Sequence, residues 1–259
     1  MHSSIRSLAV AVAVLAALVA SAGAARADDI AWKAANDTDP HLPLTTQQQE
    51  MTTQKRSVEV VCGSACGGEG YPSSAHLAAN QKPQSTSYYC GPAAVHEALG
   101  ALGIWLSQSA AATALHTTTN GTAWSGGGTS PSGYPVPDVL NARQRRNFYV
   151  PQPVSSPTSS AITTYRNDLE TDIYAVSTPL VGDAWETRTS DYHLVGHPTD
   201  RTIFHWFEIR GYQDSGESAM YEDSVHNAGS VSWHASVPAY STLPSRWIVS
   251  IVAGRGYVW

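Results

Sequence analysis

Residues 203–224 read "IFHWFEIRGYQDSGESAMYEDS". β-Branched and aromatic residues alternate through the first half, which predicts a strand, and "QDSG" predicts a turn that sends the chain back as a second one. Alternation places Ile203, His205, Phe207 and Ile209 on one face of the first strand. Folding the hairpin about Asp214 sets His205 opposite Asp223, with Cβ atoms roughly 4.5–5.5 Å apart, and turns Glu222 to the other face. A bulge at Gly216 would shift that register. An aspartate bonded to one imidazole nitrogen fixes the tautomer and leaves the other nitrogen free for chemistry. The bland alternative is a satisfied polar pair in the core.

Around the hairpin, "TPLVGDAW" (178–185) and "SRWIVSIVAG" (245–254) are also short, β-branched and aromatic, and predict further strands. Upstream the pattern is helical. From Cys90, Val95, Ala98, Leu99 and Leu102 share one face and Gly103 stands where the helix should stop. A second helix is predicted from Ser107 through "QSAAATAL", a short one in "VPDVLNARQRRN", and a third near 159–174, where Ile162, Tyr165, Leu169 and Ile173 recur at helical spacing. Helices followed by strands predict an α+β fold in place of an alternating α/β one.

The 259-residue chain begins with a basic stretch, Met1–Arg6, an apolar run, Leu8–Ala20, and small residues in "AARA". This pattern predicts a secretory signal cut after Ala27, too short for a membrane anchor, and hence an exported protein. Residues 28–80 are a polar extension, with a helix in "TTQQQEMTTQKRSVEVV" capped by Thr45 or Thr46 and a Gly-, Ser- and Pro-rich stretch after it. They form a candidate pro-segment and linker, and 81–259 the main domain. A net charge of −6 argues against a nucleic-acid partner.

Three cysteines in an exported chain leave one over. Cys62 and Cys66, in "VVCGSACGG", are near enough to pair; a metal site there would lack a second ligand pair. Cys90 is then packing, a disulfide half or a nucleophile. It precedes Gly91 and Pro92 at a helix start, where unsatisfied amides lower a thiol pKa. A base would have to come from the ten histidines. His96 points away on the same helix, and the "HLVGH" pair, His193 and His197, reads as a solvated loop because of Gly196 and Pro198. His41, His116, His226 and His234 show no evident partner; His205, on the strand face opposite Asp223, is the candidate base. For an oxyanion, the Cys90 N–H is available and the Gln84 side chain is long enough to add a donor.

A glutamine six before the cysteine, "YYCGPAA" opening a helix, "HW" followed by "GY", and an acid on the next strand together resemble the papain-like cysteine peptidases of family 39, the bacteriocin-processing endopeptidases and their secreted stand-alone relatives. The resemblance implies a papain-like fold, with the Cys90 helix packed on a mostly antiparallel sheet that carries His205 and Asp223. It also implies an oxyanion role for Gln84, a peptide or protein substrate, and no metal or organic cofactor. Two departures stand out. Ser224 follows the acid where the family commonly has proline, and the chain has no G-x-x-x-x-G-K-[ST] nucleotide loop, so exporter-linked leader cleavage does not carry over. The same triad could serve acyl transfer or cell-wall amide cleavage, and a catalytically silent binding module is the alternative of another class.

Overall fold

The computed structural model describes residues 29, 33, 37, 39–65, 70–126 and 130–259, with side chains except at 58–65. The expected signal sequence and the Cys62–Cys66 bridge rest on positions outside the described residues. In chain order the elements are α1 (Thr46–Ala65), β1 (Ala75–His76), α2 (Cys90–Ala101), α3 (Gln108–Ala114), α4 (Pro135–Arg143), β2 (Pro151–Pro153), α5 (Ser159–Glu170), β3 (Leu180–Glu186), β4 (Ile203–Gln213), β5 (Ser218–Glu222), β6 (Tyr240–Pro244), α6 (Ser245–Ile251) and β7 (Gly256–Val258). Every strand pair is antiparallel, in the order β2-β7-β3-β4-β5-β6 with β1 also on β4. Helices packed on an antiparallel sheet make the chain α+β, as its order of elements predicts.

The sheet is buried on both faces. On one side Val181, Trp206 and Val258 share an apolar cluster with Val95, Ala98 and Leu99 of α2 and with Leu140 of α4. On the other, Leu180, Phe207, Ile209 and Tyr257 pack against Tyr165 and Leu169 of α5 and Ile248 and Val249 of α6. Small residues let α2 lie close to its neighbours: a Cβ on Gly91 would stand 2.3 Å from Thr122 Oγ1. The helix stops where expected, at Gly103, whose φ of +76° suits glycine.

Two local expectations fail for physical reasons. "SRWIVSIVAG" does not form a strand, since Ser245–Ile251 is helical. Its β-branched residues fall at 248, 249, 251 and 252, a helical spacing that seats all four in the cluster beside α5, and burial overrides the weak strand preference. The hairpin turn forms at Asp214–Gly216, all at positive φ, but the ladder is displaced. Glu208 faces Glu222 and Ile209 faces Tyr221, with the bulge between Ile209 and Gly211 and none at Gly216.

The N-terminal segment is tied to the body. Thr45 and Gln48 form a capping box at the start of α1, with bonds of 3.2 and 2.9 Å. Lys55 pairs with buried Asp172 at 3.0 Å, Arg56 donates to Gln152 at 2.8 Å, and the main-chain N–H of Trp124 donates to Asp39 at 2.8 Å. Among the described residues no helix is long and apolar enough to cross a membrane.

Candidate active site

Cys90 is the first residue of α2, and the residue before it, Tyr89, offers no side-chain cap. The amides of that first turn are therefore not closed off by a capping side chain. Beyond Glu222 the second hairpin strand ends, so residues 203–207 of β4 carry a strand partner only on the β3 side. The thiol sits at this opening. Burial alone would push the Cys90 thiol up, but a hydrogen bond from His205, its charge, and the main-chain amides of Trp206 and Gly91 together hold it below its ordinary value.

His205 lies on the β4 face predicted for it, with Nε2 3.1 Å from Asp223 Oδ1. Because the ladder is displaced, Asp223 is one step past the last pair and reaches His205 as a diagonal neighbour, not as the directly opposed residue that the sequence register predicts. Burial would lower the His205 pKa. Asp223 beside it and the thiol at its other nitrogen raise it well above the usual imidazole value. Conversely, burial would raise Asp223, and two imidazoles hold it far below the carboxylate range. Its Oδ1 also accepts from the Val225 N–H at 2.9 Å. Glu222 is on the opposite face, as the alternation requires, where burial pushes it up to about 7.

Gln84 is buried beside them. Its main-chain N–H donates to the Ser224 carbonyl at 2.8 Å, its Oε1 accepts from the Ser224 hydroxyl at 3.3 Å, and one Nε2 proton goes to the Thr86 carbonyl at 2.7 Å. The second Nε2 proton remains for a ligand. The Ser224 hydroxyl and the Thr86 carbonyl together orient this amide. Ser224→Ala, which removes the hydroxyl from Gln84, is expected to cost about 1 kcal/mol, measured by urea unfolding.

The structure adds two residues that the sequence reading passed over. His197 is not on a solvated loop. It is buried, with Nδ1 2.6 Å from Glu186 Oε2 and Nε2 2.9 Å from Asp223 Oδ2, and the Trp233 ring packs on it at 4.7 Å. Gly196 and Pro198 do break any helix. Gly196 turns at φ +83°, against the Ser236 carbonyl where a Cβ would be 2.1 Å away, and this folds His197 inward. A signal was present in β3: Glu186 shares the face of Leu180 and Ala184, a carboxylate in the phase of core residues. His96 and His226 also have partners, the carbonyls of Leu106 at 2.6 Å and Val237 at 2.8 Å.

Donor atoms of His197, His205 and Asp223 lie within 4.8 Å of one another. The 2.9 Å His197–Asp223 separation is that of a hydrogen bond and the 3.1 Å His205–Asp223 separation that of an ion pair, and an ion with bonds of about 2.0–2.2 Å would have to push them apart. Cys90 stands between two cavities. One, of about 650 Å³, is lined by Thr122, Asp183, Trp206 and Arg255 together with Asp39 and Pro40 of the N-terminal segment. The other, of about 410 Å³, is lined by Gln84, His205, Val231 and Trp233. Phe204, half exposed, borders both. Compared with protein-family models and with curated protein sequences, the chain matches none.

Proposed function

We propose that this protein is a secreted thiol hydrolase of papain-like build that cleaves peptide or amide bonds. The observation that carries the reading is the buried line of Cys90, His205 and Asp223, its thiol at a helix start and its imidazole between the thiol and a carboxylate. Gln84 beside it, and the helix carrying the thiol packed on the sheet carrying the base, support the papain-like form. Export is supported by the apolar run and small residues of the first 27 positions.

In the resting site the proton lies on His205 and Cys90 is the thiolate. The sulfur attacks the substrate carbonyl carbon, the C=O π pair moves onto oxygen, and the Cys90 N–H and the spare Gln84 proton hold that charge. Collapse expels the amine, which takes the proton from His205, and leaves a thioester. Water then attacks, giving its proton to His205, and the thiolate departs. Asp223 stays ionised throughout and keeps Nδ1 of His205 directed at sulfur. The two cavities beside Cys90 suit the acyl and amine portions of a chain.

The test needs no substrate. Iodoacetamide alkylation of Cys90, followed by mass spectrometry against pH, should proceed well below the ordinary thiol pKa of about 8.5. In His205→Ala the rate at about pH 6 should fall by roughly a hundredfold, since a thiol of ordinary pKa is almost wholly protonated there. A wild-type Cys90 that stays unreactive at low pH, or that ignores His205→Ala, would overturn the hydrolase reading.

A further inference from the structure

His197 is bonded on both sides by carboxylates. Glu186 Oε2 meets Nδ1 at 2.6 Å and Asp223 Oδ2 meets Nε2 at 2.9 Å, both within the buried interior. Ionised carboxylates only accept, so with both acids ionised each ring nitrogen carries a proton. The other Glu186 oxygen is occupied by the Leu194 N–H, and Asp223 divides its oxygens between the two histidines. The result is a continuous buried line: Glu186, His197, Asp223, His205, Cys90. We propose that His197 is a positioning residue for the thiolate, an imidazolium clamped between Glu186 and Asp223 that aims Asp223 at His205 and sets the pH range in which Cys90 is reactive. This deepens, and rests on, the hydrolase reading.

The sign of the effect follows from charge. Five ionised groups alternate along the line, and His197 supplies one of its two cations. Removing that cation makes the surroundings of Cys90 and His205 more negative, which raises the proton affinity of both. The two imidazole rings are 5.2 Å apart. At an effective dielectric of about 20, a unit charge at that distance moves its neighbour by about two pH units, and a group farther along the line, such as Cys90, by less. Other charged groups face the line from every side. His193, on the loop itself, lies 3.9 Å from Glu186, the Tyr221 hydroxyl of β5 accepts from the Val195 N–H at 2.8 Å, and Lys33 acts on Glu186. From the α2 side Glu97 acts on Asp223 and His205, and Asp183 of β3 is coupled to His205 and Cys90. None of these is bonded to both Asp223 and a second carboxylate, as His197 is.

The test compares the pH profile of Cys90 alkylation in the full chain with that of His197→Gln. The profile should move to higher pH by about one to two units; a variant that folds and keeps the wild-type profile overturns the inference. Should His197→Gln fail to fold, ¹⁵N NMR of the wild-type imidazoles decides instead. Both His197 nitrogens should still be protonated above the ordinary imidazole pKa of about 6.5, and a neutral ring with one bare nitrogen there overturns it. The arms separate the two claims. A wild-type Cys90 silent at low pH falls on the hydrolase reading, whereas a reactive Cys90 with a neutral His197 falls on this one.

Discussion

Cys90→Ala should reduce hydrolysis of a peptide substrate by about 10⁴-fold or more while leaving the fold intact. In the proposed mechanism the thiolate sulfur bonds to the acyl carbon, and among the described residues Cys90 is the free cysteine, lining both cavities. The fold should survive because alanine suits a first helical turn and the lost sulfur leaves only a small gap, roughly 1 kcal/mol or less by the usual cost of a removed methylene-sized group. Release of new amines from a peptide library measures the first, and a circular-dichroism melt the second. Residual hydrolysis near the wild-type rate would remove Cys90 from the mechanism. A lost melt would mean that the thiol matters for folding as well.

Asp223→Ala should produce the largest structural loss in the site, about 3–5 kcal/mol by urea unfolding. The carboxylate is buried between two imidazoles and accepts the Val225 N–H as well, so its removal strands three donors. Asp223→Asn, which keeps an acceptor, should lose less. The pH dependence carries a sign. Asp223 is held below its unfolded value of about 3.9, so its contribution is present above about pH 4 and fades as pH falls below it. The His205 pKa is raised, so its contribution is present below about pH 6.5 and fades as pH rises from there through the raised value. The difference in stability between wild type and Asp223→Ala should therefore be greatest between about pH 4 and about pH 6.5. A difference flat from acid to alkali would mean that the line of charges is not formed.

The parts of the site that could be read from the chain are those whose partners are set by local periodicity. Cys90 at a helix start, Gly103 at its end and His205 on a core-facing phase follow from spacing within one element. The pairing of His205 with Asp223 was legible, but for a partly wrong reason. The turn at residues 214–217 displaces the ladder by three residues from the expected pairing and the bulge beside Arg210 takes one back; the net shift of two preserves the face, so the same two side chains meet diagonally. The reading failed where a residue's partner comes from a distant element. "HLVGH" contains no acid, and the carboxylate that holds His197 stands at the end of β3; likewise the residues that turn "SRWIVSIVAG" into a helix belong to α5.

The partners that shape the site are far apart in the chain, as with the 140 residues between Gln84 and Ser224, and this governs when the protein becomes reactive. Until β4, the segment after β5 and the start of α2 have come together, Cys90 is an ordinary thiol, almost wholly protonated near neutral pH. Contacts that close long loops form late in folding. On the proposed mechanism the thiolate therefore forms only as the chain closes, and an open chain carries at Cys90 a protonated thiol that exchanges slowly with disulfides of other chains.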